Sequence, residues 1–319
     1  MDLPRKIQLT GRNTYIVSLP HEWIVRKGIT KGSGVFVAEN NDGSLTLSLE
    51  ERKRELKGVS IAVSKGAKQQ AMRNIVAAYV GGAGTITLTG QGMSTIAEEA
   101  RRVLSGVEIT DESKGTLTLR VLAFEDINID GIIKRAFNVT NSMFELSVSA
   151  YSDEKADVFT EMSRKEDDVD RLYLLLLRTM YLEGFEDKDD LFKLIAAKSI
   201  EKIGDHLLDI CENASDSAPN ATVAALLGKG EEMYAAAYEV LSSNELDRGL
   251  FEEKKRDFVA MFDRADAAVK DEKDAGRMLA MKAMLEKCGK ILRYSEDLME
   301  SCTDMYFAAL ETGPPKGGV

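Results

Sequence analysis

The sequence predicts a multidomain α+β protein, and three observations carry that expectation. Residues 5–50 are short, alternating, β-branched segments separated by turn signals. A β-α-β-α-β-β order of segments follows, too short for a large doubly wound sheet. From Asp126 onward the periodicity is helical, in six long segments that fall into two sets of three. These shifts divide the chain into 1–54, 55–124, 125–218 and 219–311, with 312–319 as a disordered tail.

In the first division "KIQLT" and "TYIVSLP" read as strands joined by Gly11-Arg12-Asn13, and "HEWIVRKG" as a brief helix closed by Gly28. "GVFVAEN" and "SLTLSL" flank Asn41-Asp42-Gly43, a strong hairpin signal. So short a segment buries too little to stand alone, so dimerisation is expected. The charged linker "EERKRELKG" leads into the second division. Strand "VSIAVS" precedes a helix over 67–80, strand 85–89, a helix over 93–105, and strands "VEIT" and "TLTLRVL". "GGAG" (81–84) and "GQG" (90–92) have neither P-loop nor dinucleotide spacing, and "GGAG" follows a helix instead of opening one. They are expected to be turns. The remaining spans, 129–152, 155–183, 189–214, 221–243, 245–271 and 274–311, predict two antiparallel three-helix bundles. "TGPPKGGV" offers no core residue.

Composition narrows the function classes. Of 319 residues, 44% are hydrophobic and 30% charged, ordinary for a soluble globular chain. No apolar run reaches the ~20 residues that cross a bilayer, and "MDLPRKIQL" lacks the apolar stretch of a signal peptide, so a cytoplasmic protein without membrane insertion is expected. Cys211, Cys288 and Cys302 fall in helical patterns and read as reduced packing residues. Only two histidines, His21 and His206, leave no zinc-finger arrangement. Net charge is −11, yet residues 1–54 hold nine Lys/Arg against six acids, leaving about −14 for the rest. That asymmetry points to an N-terminal module with a different partner from the helices.

The most informative stretch is "SIEKIGDHLLDICENA" (199–214). Glu201, Asp205, Asp209 and Glu212 fall within about 80° of one helix face. Like charges at this spacing weaken a bare helix by about 0.2–0.5 kcal/mol per pair. The preceding helix, "EMSRKEDDVDRLYLLLL", places Glu166 and Asp170 four residues apart in an apolar stripe of Phe159, Met162, Tyr173 and Leu177. Glu201 and Asp205 interrupt Leu194, Ala197 and Leu208 in the same way. Four unpaired carboxylates on packing stripes are too costly to bury, and an oxygen-liganded hard cation would remove the cost. Glu166, Asp170, Glu201 and Asp205 are therefore the candidate metal ligands. Asp167, Asp209 and Glu212 lie at the edge, and His206 points about 140° away from Glu201, as a surface residue would.

"SIEKIGDHLLDICENA" resembles the E-R-I-G-D-x-x-x-N-I-x-E signature of PhoU phosphate-uptake regulators, and "EDDVDRLY" is similar to that family's E-x-x-x-D on the preceding helix. The resemblance spans about 125–311. It implies tandem three-helix repeats and multinuclear metal clusters of iron or zinc, with magnesium or manganese also considered. The second repeat departs from the pattern. "MLEKCGKILRYSEDLMES" keeps Glu286 but has Lys290 in place of Asp, with Lys282 and Arg293 on the same face. "DFVAMFDRADAAVK" offers Asp263 and Asp266 without the paired spacing. At most one metal site per chain is expected, in the first repeat, with the Lys290 ammonium standing in for a cation in the second.

The N-terminal segment is similar to SpoVT/AbrB swapped-hairpin DNA-binding domains through its R-K-x-x-x-x-G-R opening and the "GITKGSGV" turn. It differs in Ser33-Gly34, where Gly-Asp is more usual, and in "SLP" for "IP". This resemblance implies an interleaved dimeric barrel with Arg5, Lys6, Arg12, Arg26 and Lys27 toward DNA. The whole resembles an archaeal type of phosphate uptake regulator, dimeric and cytoplasmic, governing phosphate-transport genes. The alternative is an adaptor that acts on the Pst transporter ATPase by protein contact. An enzyme is not expected: the chain has no Glu-x-x-His pair for a ferritin-like di-metal site and no Ser/His/Asp or Cys/His set.

Overall fold

A computed structural model of the chain describes residues 4–11, 13–39, 44–49, 57–122, 128–151, 158–185, 189–214, 220–243 and 245–310. It separates into two compact units, 1–54 and 55–319. Arg12, the Asn41-Asp42-Gly43 turn, most of the charged linker and the 312–319 tail lie outside the described residues.

The first unit holds two antiparallel hairpins and one short helix. β1 (Gln8–Thr10) pairs with β2 (Thr14–Ile16), setting Gln8 opposite Ile16. α1 (His21–Arg26) follows Pro20, whose fixed φ suits a helix start. Its last turn gives way to Gly28 at φ +65°, a conformation that glycine adopts without strain. β3 (Phe36–Glu39) pairs with β4 (Leu45–Ser48), Phe36 opposite Ser48. Among the described residues the two hairpins do not pair with each other, and none of the unit's residues is buried. Leu9, Tyr15, Phe36 and Val37 all face solvent. Two-stranded hairpins without a shared core are marginal in water.

The second unit begins with a four-stranded sheet backed by two helices. β5 (Gly58–Val63), α2 (Lys68–Val80), β6 (Thr85–Gly90), α3 (Met93–Val103), β7 (Val107–Ser113) and β8 (Thr116–Val121) follow in order. The sheet order is β5-β6-β8-β7, with β5 and β6 parallel and the other pairs antiparallel. Alternation buries Ile61, Val63, Ile86, Leu88, Leu117 and Leu119 against Ile75, Tyr79 and Ile96 of the helices. A Cβ on Gly90 would come within 2.1 Å of the Val63 carbonyl oxygen, so only glycine fits there. β7 runs three residues beyond "VEIT" because a bulge at Ile109/Asp111 resets its register with β8. "GGAG" caps α2 as turn chemistry requires, with Gly82 at φ +83°.

Among the described residues six helices complete the second unit: α4 (Ile129–Tyr151), α5 (Phe159–Glu183), α6 (Asp190–Ala214), α7 (Ala221–Ser243), α8 (Gly249–Asp271) and α9 (Ala275–Leu310). α8 starts four residues later than its periodicity suggests, because the Asp247 carboxylate accepts the Gly249 N–H at 2.8 Å and sets the boundary there. The two sets of three do not form separate bundles. α6 packs along α9 and α4 along α7, and all six contribute to one core. Phe137, Phe144 and Tyr234 stack between the sets, and a Cβ on Gly230 would meet the Phe144 ring at 3.1 Å. Each set alone would expose those aromatic faces, so the sets merge. Cys211, Cys288 and Cys302 are buried and unpaired, as packing residues.

The sheet layer docks on α5. The buried Arg178 guanidinium donates to the Tyr79 carbonyl and lies over the Tyr79 ring at 4.9 Å. Asp167 pairs with Arg102 of α3, and Arg171 donates to the Arg102 carbonyl at 2.6 Å. A Cβ on Gly82 would strike Leu182 at 2.7 Å, which marks how closely the layer and the helix approach.

Candidate metal centre

The acidic site is built where α5 and α6 run against each other. α5 turns Val169, Leu172 and Leu176 into the core, and α6 turns Ile200, Ile203, Leu207 and Ile210 inward. The helices pass close at Gly204, where a Cβ would lie in van der Waals contact with Val169 and Met143 at 3.8 Å. Residues one turn along from this contact therefore face each other across a narrow seam.

Glu166, Asp170 and Asp205 meet in that seam, each offering a carboxylate oxygen within 4.8 Å of the other two. Three of the four expected ligands thus come together. Glu201 stands beside them, only 7% exposed, and outside the tight group. Its Oε1 lies 3.3 Å from Lys202 Nζ, and its Oε2 lies 2.7 Å from Lys198 Nζ without hydrogen-bonding geometry. Lys202 also pairs with Asp205, and Lys198 sits 4.5 Å from the Tyr173 ring. The two α6 acids thus have ammonium partners on their own helix, whereas among the described residues Glu166 and Asp170 form no ion pair.

Protonation follows this split. Burial, then Asp170, Asp205, Asp167 and Glu201, push the Glu166 carboxyl up to about 8. Burial, then Glu201 and Asp205, push Asp170 up to about 6, against the pull of Lys202 and Lys198. Burial works against the Lys202 ammonium, yet hydrogen bonds and charge from Asp205 and Glu201 hold its pKa above the usual value. Carboxylates within 4.8 Å of one another in a half-dry seam resist ionising together, and a bound cation would relieve them. The donors are all carboxylate oxygens, the set that hard cations prefer. The residues present therefore fit a bound metal.

The edge acids have other partners. Asp167 holds Arg102, Asp168 lies 3.3 Å from Arg171, and Asp209 pairs with Lys287 of α9. Glu212 is exposed. His206 is not the surface residue its angle suggests: its side chain is 12% exposed, 3.6 Å from Asp209, with its ring 5.7 Å from that of Tyr294. α9 covers that face of α6, which a single helix's periodicity cannot show. Sequence reasoning also missed Arg102, Arg171, Lys198 and Lys202; the basic last turn "ARRV" of α3 was the one available signal.

Among the described residues the second repeat brings no such acidic group together. Lys255 lies 2.6 Å from Glu296, and a Cβ on Gly289 would lie 3.9 Å from the Phe262 ring, which fixes the antiparallel register of α8 and α9. Lys290 meets Glu286 at 2.9 Å, and Lys270 meets Asp266 at 2.6 Å. In the first unit, Arg5 and Lys6 precede β1 and Arg26 and Lys27 close α1, all exposed; Arg12 lies outside the described residues.

Residues 133–214 match the PhoU domain. The match takes in most of α4 and all of α5 and α6, and with them Glu166, Asp170, Glu201 and Asp205. An alignment over 141 residues, covering 40% of the chain, shows 29% identity to the phosphate-specific transport system accessory protein PhoU homolog of Clostridium acetobutylicum. The chain spans about 64% of that relative's length. No solved structure matches.

The shifted carboxyls make metal-free stability depend on pH. Glu166 and Asp170 bind protons more tightly folded than unfolded, so their stabilising contribution is complete below about pH 4 and is lost as pH rises through about 6 and then 8. Melting of chelator-treated protein should therefore show a falling contribution across pH 5–9 that Glu166→Gln diminishes, the variant melting higher than wild type at pH 9. Equal pH dependence in the two proteins would refute the crowding of these acids.

Proposed function

We propose that the chain is a metal-binding regulator of phosphate uptake that acts on DNA as a dimer. The observation that carries this reading is the convergence of Glu166, Asp170 and Asp205, with Glu201 beside them, inside the segment that matches the PhoU domain. A bound cation would neutralise the seam and cross-link α5 to α6. Its donors favour iron, magnesium or manganese over zinc, which more often takes nitrogen or sulfur. Asp167, next to Glu166, grips Arg102, so a change in α5 has a direct contact with the sheet layer.

The first unit supports the DNA-binding half of the proposal. It carries about +3 against about −14 elsewhere, and Arg5, Lys6, Arg26 and Lys27 are exposed and ready to meet phosphates. Its apolar side chains need a second copy to cover them. A groove of about 440 Å³ lined by Leu19, Pro20, Trp23, Leu45 and Leu47 would take a strand of that copy. Work in the cytoplasm on transport genes fits a chain in which, among the described residues, no helix is long and apolar enough to cross a membrane.

The name of the Clostridium relative, a transport system accessory protein, favours a second reading, direct contact with the phosphate-transport ATPase. The head would then serve for dimerisation alone. Either role is regulatory, not catalytic.

Elemental analysis tests the metal half. Wild-type protein should retain one metal site's content per chain, and Glu201→Ala combined with Asp205→Ala should lose at least about tenfold in affinity, as loss of charged ligands implies. Equal metal in both proteins would contradict it. For the DNA half, a gel shift on a phosphate-transport promoter at low salt should weaken steeply with added salt, and Arg26→Ala with Lys27→Ala should abolish it. Absence of any shift, together with ATPase pull-down that survives deletion of 1–54, would favour the adaptor.

A further inference from the structure

The second repeat carries a cleft of about 470 Å³ between the start of α8 and the second half of α9, within the size range of small-molecule sites. Arg248 and Lys255 line it from α8, and Lys290 and Arg293 from α9. These cations are committed to different degrees. Lys255 is bound to Glu296 at 2.6 Å. Lys290 reaches Glu286 and Arg248 reaches Glu252 at 2.9 and 3.3 Å, but those carboxylates are 67% and 45% exposed, and such pairs contribute little. Arg293 has no ion-pair partner among the described residues. On the same wall stand Asp297 and Glu300, likewise without an ion-pair partner among the described residues. Arg293 and Asp297 are four residues apart on one helix and still do not pair.

We propose that this cleft binds inorganic phosphate. The inference rests on the regulator reading and names the small molecule that reading lacks. Arg248, Lys290 and Arg293 supply N–H donors of the geometry that suits a tetrahedral oxyanion, arginine in particular presenting a planar fork. The carboxylates decide which oxyanion. A fully ionised anion such as sulfate has no proton to offer, and Asp297 and Glu300 repel it. Phosphate near neutral pH keeps one or more P–O–H protons and can donate one to Asp297, turning the repulsive wall into a hydrogen bond. Burial and Glu296 hold the Asp297 carboxyl above its usual range, which makes its carboxylate the stronger proton acceptor. The rest of the cleft is large enough for bridging water. The two repeats would then divide the work: the acidic seam of the first holds a cation, and the mixed cleft of the second holds an anion.

The test is calorimetric titration of chelator-treated full-length protein, so that no phosphate is held through a metal. Phosphate, sulfate and AMP are titrated separately at low ionic strength. One phosphate should bind per chain, with sulfate at least about tenfold weaker, a margin of about 1.4 kcal/mol. Arg293→Ala with Lys290→Ala, both outside the core, should weaken phosphate by at least about tenfold while leaving the melting temperature near wild type. Asp297→Asn should bring phosphate and sulfate affinities close together. No phosphate binding, equal sulfate binding, tighter AMP binding, or wild-type affinity in the double variant would each overturn the proposal. Metal content is measured on each preparation before chelator treatment: normal metal there without phosphate binding afterwards refutes this inference alone, and phosphate binding by protein that carried no metal before treatment refutes the metal reading alone.

Discussion

The close packing of carboxylates between α5 and α6 is the constraint around which the helical unit is arranged. Hydrophobic burial brings the two helices together on both sides of Gly204, and nothing in that packing needs an acid. Yet Glu166 and Asp170 face Asp205, with Glu201 adjacent, where an apolar stripe would otherwise continue. Repulsion in the seam is relieved in three ways: Lys198 and Lys202 cover the α6 acids, the α5 carboxyls hold protons more tightly, and the oxygen set suits a cation. The first two are incomplete. Lysines on the rim leave Glu166 with a pKa far above that of an ordinary glutamate, the sign of a site with charge to spare.

Much of this is legible in the sequence alone. Helix α6 could be read because Ile200, Ile203, Leu207 and Ile210 keep one period over the whole segment, and the acids fall on a single line beside them. The hairpin and sheet segments followed from β-branched alternation between glycines. The parts that were hidden depend on contacts between distant segments. His206 is half-buried because α9 lies over it, and no property of residues 199–214 announces α9. Arg102 reaches Asp167 across sixty-five positions. The merging of two three-helix sets into one core depends on Phe137, Phe144 and Tyr234 meeting, and each lies on its own helix's apolar face in either arrangement.

The two repeats illustrate how one backbone plan can carry opposite electrostatics. Among the described residues no acids of α8 and α9 come together as Glu166, Asp170 and Asp205 do. Lys290, in the position of Asp205, contributes a positive charge to the neighbouring cleft. The basic head differs again, having exposed strands and no buried residue among those described, a pattern suited to a partner molecule more than to an isolated fold. A chain with a basic end, an acidic seam and a mixed cleft has the means to join several charged signals.

The account stands on a cation shared by α5 and α6. The most direct measurement is the anomalous scattering from a crystal of the protein grown with manganese. One peak per chain within coordination distance of Glu166, Asp170 and Asp205 oxygens, with Lys202 displaced from Asp205, is the result predicted. Carboxylates turned to solvent or still capped by Lys202, with no peak in the seam, would contradict it.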